Sequence, residues 1–183
     1  MTAALPPVLI VPGLGSSGPE HWQSHWQLKN PNFIRVEQAN WDNPDFADWL
    51  KRLDAAINAC AAPPLLVAHS LSCSLVAHWI ERHSGELHGA LLVAPGDVDS
   101  ESHTPPETRG FRPMPLARFA CPAIVVASRN DPYVDFARAQ FFAARWHARF
   151  VDAGALGHIN SASNLGDWPF GYALLEELRR SAA

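Results

Sequence analysis

The sequence predicts an α/β fold with about six mostly parallel strands flanked by helices. Two observations carry that expectation: short apolar runs such as Val8-Leu9-Ile10-Val11, Leu65 to Ala68, Ala90 to Ala94 and Ile124 to Ala127 alternate with segments of helical periodicity, and the turns between them are rich in glycine and proline. Strands separated by helices require crossover connections, so they run parallel. The 183 residues suit a single domain over residues 1–183, with a proper core and little room for a second.

In chain order, Val8 to Val11 is the first strand, and Pro12-Gly13-Leu14-Gly15-Ser16-Ser17-Gly18 is the turn after it. Pro19 and Glu20 suit the first turn of a helix carrying Trp22, Trp26 and Leu28 that ends by Asn30-Pro31. The glycine turn lacks the third glycine of a dinucleotide fingerprint and the G-K-[ST] of a P-loop, so nucleotide binding is not expected. Phe33 to Glu37 reads as a second strand. Pro44 then opens a helix in which Phe46, Leu50, Leu53, Ile57 and Cys60 recur at three- and four-residue steps.

The third strand, Leu65 to Ala68, runs into Ser70, and Leu71 to Arg82 carries Leu75, Val76, Trp79 and Ile80 at helical spacing. Ser70 therefore lies on a strand-to-helix turn, where a serine is either a nucleophile on a strained elbow or a simple helix N-cap. The elbow pattern G-x-S-x-G is degenerate here, with Ala68 and Ser72 in place of the glycines. Both are small, as the crowded turn demands.

After the fourth strand, Asp97 to Phe119 interrupts the rhythm with Pro105, Pro106, Pro113 and Pro115. It is expected to lie over the strand ends, either with Phe111, Met114 and Leu116 as pocket-lining candidates or as a plain solvated connection. Ile124 to Ala127 forms the fifth strand and Ser128-Arg129-Asn130-Asp131-Pro132-Tyr133 the loop behind it. Asp135 to His147 is helical, Phe150-Val151 starts a short sixth strand, and Asp152 to Ile159 is a loop containing His158. A last helix, Tyr172 to Arg180, follows Trp168-Pro169-Phe170-Gly171.

Three loops at the carboxyl ends of strands thus hold Ser70, Asp131 and His158, on the one rim where parallel sheets build sites. Their order, serine then acid then histidine, is that of the α/β-hydrolases. A serine hydroxyl is barely ionised at neutral pH and needs a base, which imidazole supplies; an aspartate behind the ring holds its tautomer. The backbone amides of Leu71 and of Leu14 or Gly15 are the expected oxyanion donors.

The chain resembles the small serine-hydrolase family that includes retinoblastoma-binding protein 9 and the bacterial YdeN-like proteins. The matching stretches are Ile10-Val11-Pro12-Gly13 with Glu20-His21-Trp22, Ala68-His69-Ser70-Leu71, Ser128 to Pro132, Gly157-His158-Ile159-Asn160, and Gly166-Asp167-Trp168-Pro169-Phe170-Gly171. That resemblance implies a compact α/β-hydrolase with no large cap domain, in which Ser70, Asp131 and His158 form a triad. Retinoblastoma-binding relatives are associated with an L-x-C-x-E segment. Leu71-Ser72-Cys73-Ser74-Leu75 lacks the acid, so that partner is not supported.

The expected reaction is hydrolysis of a small ester, thioester or activated amide through an acyl-enzyme on Ser70, with acyl transfer as a variant of the same first step. The competing class is a binding or regulatory protein on a hydrolase scaffold, which the changes at Ala68 and Ser72 keep open. No cofactor is implied. His21 and His25 are four apart, but the H-E-x-x-H glutamate and a third ligand are missing, so no metal is expected. Asp135 is a weaker candidate acid, His69 should face away from Ser70, and Trp168 is a candidate for the site border.

A net charge of -4 and a pI near 6.1 argue against nucleic acid or an anionic membrane as partner. A small acyl substrate is the expected partner. Met1 to Val11 has no basic residue before its apolar run, and Cys60, Cys73 and Cys121 form no C-x-x-C pair. These features fit a cytoplasmic protein with reduced thiols.

Overall fold

The computed structural model describes residues 5–181, so the expectations resting on Met1 to Ala4 and on the last two residues lie outside it. Six strands form one parallel sheet: β1 (Val8–Val11), β2 (Phe33–Arg35), β3 (Leu65–His69), β4 (Gly89–Val93), β5 (Ala123–Ala127) and β6 (Arg149–Asp152). Their order is β2-β1-β3-β4-β5-β6. The helices are α1 (Trp22–Lys29), α2 (Phe46–Asn58), α3 (Leu71–Arg82), α4 (Phe136–Trp146) and α5 (Pro169–Arg180).

Strand periodicity divides the core into two layers. Leu9, Val11, Leu66, Leu92 and Val125 pack with α2, α3 and α4, whereas Val8, Ile10, Val67, Leu91 and Val126 pack with Trp22 and Trp26 of α1 and Leu175 of α5. The inner strands are buried on both faces, which is why they read as unbroken apolar runs. The chain winds outward in both directions from β1 and β3. The crevice at their carboxyl ends is the switch point where such folds bind ligands.

Several boundaries differ from the sequence reading. Pro19 and Glu20 precede α1, whose N-cap is His21: its Nδ1 accepts from the Gln23 amide at 3.1 Å. Helix α2 starts after Asp45, whose carboxylate accepts from the Asp48 amide, and it ends before Cys60. Helix α5 begins at Pro169, with the ring in the first turn, where its missing N–H costs nothing.

The 97–119 excursion contains a 3-10 helix at Pro106–Phe111. Arg138 of α4 ties its start down through Asp97 at 3.1 Å and Asp99 at 3.0 Å, and Trp146 Nε1 donates to the Pro115 carbonyl at 2.7 Å. Phe111 and Met114 do not line the pocket: both are buried in the α2/α3 layer, where Phe111 meets Phe46 and Trp49 edge-on. Leu116 packs against the same layer. No described helix is long and apolar enough to cross a membrane.

Candidate active site

Ser70 adopts φ 56° and ψ -120°, a region that costs a residue with a side chain about 1–3 kcal/mol. Its hydroxyl makes no capping bond to α3. The N-cap alternative therefore fails, and the strained turn aims Oγ at His158 Nε2, 2.8 Å away. On the far side of the ring, Nδ1 lies 2.9 Å from each oxygen of Asp131. With Nδ1–H donating to the carboxylate, Nε2 presents its lone pair to the serine hydroxyl.

Two loops are knitted together to hold this pair. The Leu156 amide donates to Ser128 Oγ at 2.8 Å, and the Gly157 amide donates to Asn130 Oδ1, also at 2.8 Å. Asp131 Oδ1 accepts in addition from the Tyr133 amide at 2.9 Å. Behind His158, His69 Nε2–H donates to its carbonyl at 2.9 Å and Trp22 Nε1–H donates to that of Ile159 at 2.8 Å. Side chains from β3 and α1 thus hold the histidine loop through its backbone carbonyls.

His69 lines the same cavity as Ser70, but its Nε2 is engaged by the His158 carbonyl, so it anchors the loop that carries His158 instead of meeting the serine hydroxyl. Neither this function nor those of Ser128, Asn130 and Trp22 leaves a mark in the sequence pattern. Asp135 is exposed and pairs with His103 at 3.3 Å, far from a role at His158. Trp168 does not border the site: it is buried against Trp22 and Trp26 in the α1/α5 layer.

Gly13 is required by close approach. A Cβ there would stand 2.8 Å from the His69 carbonyl oxygen and 3.3 Å from the Leu71 nitrogen, both backbone atoms. The loop after β1 is therefore pressed against the first turn of α3. The Gly15 amide already donates to the Trp41 carbonyl at 2.9 Å, which leaves that of Leu14. Neither Leu14 nor Leu71 directs its amide to another group among the described residues, and both line the cavity beside Ser70.

Ser72 explains its own departure from glycine. Its buried hydroxyl donates to the Pro12 carbonyl at 2.5 Å, linking the β1 loop to α3. Ser72→Ala leaves that acceptor unpaired. The expected outcome is a loss of about 1–3 kcal/mol in urea unfolding, accompanied by a lower kcat as the loop loosens.

His21 and His69 are buried with edge-to-face rings, 4.7 Å between centroids. Burial, helped by Arg35, lowers the His21 pKa to about 3, and burial next to His21 and His158 also holds His69 well below the ordinary value. Both stay neutral near pH 7. Because an unfolded chain protonates these rings near pH 6.5 and the folded chain does not, stability falls as pH drops through that value. At about pH 5 the His21 contribution is about 2 kcal/mol. Urea midpoints at pH 7.5 and 5 should therefore draw closer in His21→Asn, which keeps an N-cap side chain without the imidazole.

Burial raises the thiol pKa of all three cysteines, and Cys73 sits wholly inside α3's core face. Among the described residues no group of three or more His, Cys, Asp or Glu side chains is placed to hold a metal. His25 pairs with Asp167 at 3.3 Å, and His78, His83 and His88 each bond a backbone carbonyl.

The parallel sheet, with a strained serine between β3 and α3 and acid and histidine loops after β5 and β6, defines an α/β-hydrolase. The chain belongs to the serine hydrolase family, which it matches over residues 8–177. It is similar to a protein described as a YdeN-like hydrolase from Pectobacterium atrosepticum, at 31% identity and a TM-score of 0.86, over 96% of this chain and 91% of that one. The ydeN gene product of B. subtilis has the same fold at 22% identity and a TM-score of 0.75, covering 95% and 98% of the two chains. A thermophilic esterase from Thermogutta terrifontis shares it at 15% identity and 0.68, covering 97% and 90%. No curated protein sequence matches the chain. The likeness to YdeN-like proteins expected from the motifs is borne out.

Proposed function

We propose that the protein hydrolyses small ester, thioester or activated amide substrates through an acyl-enzyme on Ser70. The observation that carries this reading is the continuous hydrogen-bond line from Ser70 Oγ through both nitrogens of His158 to Asp131. Ser70 Oγ attacks the carbonyl carbon as His158 Nε2 takes its proton. The carbonyl oxygen, now an alkoxide, meets the amides of Leu14 and Leu71. When the carbonyl re-forms, the bond to the leaving group breaks and His158 returns the proton to it.

Water then attacks the acyl-enzyme with His158 as base, releasing the acid and restoring Ser70. Asp131 keeps the ring in the tautomer that accepts from Ser70 and stabilises the imidazolium between the two transfers. A scaffold that only binds has no use for a serine held in costly backbone geometry and not engaged as a cap.

Rapid-quench kinetics with p-nitrophenyl butyrate tests the reading. A burst of nitrophenol with a butyryl group on Ser70 is expected. Slow, burst-free release that is unchanged in Ser70→Ala would overturn it.

A further inference from the structure

The cavity beside Ser70 encloses about 240 Å³, below the ~300–1,000 Å³ typical of drug-sized pockets. A cavity of that size suits a short acyl group and a small leaving group. No Asp, Glu, Lys or Arg lines it. It is also chemically lopsided.

One part of the lining comes from the turn after β4 and the 97–119 excursion: Gly96, Val98, Thr104, Pro105 and Thr108. Its hydroxyl protons are already engaged, because Thr104 O–H donates to the Ser100 carbonyl at 2.8 Å and Thr108 O–H to that of Pro105 at 2.8 Å. A Cβ at Gly96 would lie 3.7 Å from Ser70 Oγ and 3.8 Å from Thr104 Cγ2. The surface next to the nucleophile is thus a bare glycine and a methyl group.

Besides His69, whose Nε2 is engaged by the His158 carbonyl, the polar part of the lining is Ser16, His21, Tyr133, Asn160 and Ser161. Here the polar groups are free. Ser16 Oγ accepts from Arg35 at 3.3 Å and keeps its own proton, and Asn160 uses its oxygen to cap the Ala162 amide, leaving its NH₂. The hydroxyls of Tyr133 and Ser161 have no partner among the described residues. His21 accepts at Nδ1, so its proton sits on Nε2, which is buried without a partner.

The two parts of the lining map onto the two halves of an ester. A leaving group must reach the atom that protonates it, His158 Nε2, and the polar part adjoins that ring: Tyr133 packs on it at 4.4 Å between centroids, and Asn160 and Ser161 follow it in the chain. The acyl chain occupies the remaining direction, beside Gly96. We infer that the substrate joins a short aliphatic acyl group to a small, uncharged, hydroxylated alcohol of the glycerol kind. This rests on the acyl-enzyme reading above and assigns the substrate class for the same site.

Glycerol monobutyrate, propyl butyrate and butyrylcholine differ in the alcohol alone, with glycerol monoacetate added to vary the acyl chain. The kcat/KM for glycerol monobutyrate is expected to exceed that for propyl butyrate by about tenfold or more, since free donors reject an alcohol that cannot pair with them. Butyrylcholine should be the poorest of the three. His21→Asn, which retains the α1 cap, and Ser161→Ala, an exposed position, should each lower the glycerol-to-propyl ratio at least about threefold. Gly96→Val should shift the acyl preference from butyrate toward acetate.

Fluorophosphonate labelling of Ser70 in the same preparation separates the two claims. A labelled enzyme with a glycerol-to-propyl ratio near one, a ratio unmoved in both variants, or a preference for the choline ester overturns this inference alone. An unlabelled protein inert on all four esters overturns the acyl-enzyme reading and this one with it.

Discussion

His158→Ala is expected to lower ester turnover by about ten-thousand-fold or more, the scale of losing the base of a serine triad. Among the described residues the ring is the only group bonded to both Ser70 and Asp131, so nothing else in the line can take the serine proton. His69 cannot substitute, because its Nε2 is engaged by the His158 carbonyl, and burial beside His21 and His158 holds its pKa well below the ordinary value. The loss should fall on kcat with little change in KM, as proton transfer is needed in the transition state and not for binding. Comparing both parameters on p-nitrophenyl butyrate checks the result; a loss below about tenfold would mean another base serves Ser70.

Gly13→Ala is expected to cost about a hundred- to thousandfold in kcat, comparable to removing an oxyanion donor. The added methyl would meet the His69 carbonyl at 2.8 Å and crowd the Leu71 amide at 3.3 Å, and neither backbone atom can swing aside as a side chain would. The β1 loop must retreat from α3, and the Leu14 and Leu71 amides separate. Fluorophosphonate labelling should slow in parallel, while circular dichroism stays native. Native kcat in a folded Gly13→Ala protein would remove these amides from the mechanism.

Much of the architecture was legible because buried parallel strands leave short apolar runs bracketed by proline and glycine. The strand ends placed Ser70, Asp131 and His158 on one rim before any coordinates. What escaped was tertiary in origin. From sequence the last helix starts at Tyr172, after Pro169, yet Pro169 occupies the first turn of α5. Phe111 and Met114 look like pocket residues in a proline-rich excursion, but their apolar area is satisfied in the α2/α3 layer.

The same holds within the site. His69 is hidden from pattern analysis because its partner is a backbone carbonyl 89 positions away, which has no residue type to recognise. Ser72 looks like a weakened glycine until its hydroxyl is seen on the Pro12 carbonyl. Trp168 is drawn into a tryptophan cluster with Trp22 and Trp26, which only the pairing of α1 and α5 on one sheet face brings together.

The central claim is that Ser70 is an activated nucleophile, and intact-mass labelling with a fluorophosphonate tests it most directly. The geometry predicts a single adduct on the native chain, mapped to Ser70, absent in Ser70→Ala and greatly slowed in His158→Ala. A folded native protein that takes no label, or an adduct that persists in Ser70→Ala, would contradict it.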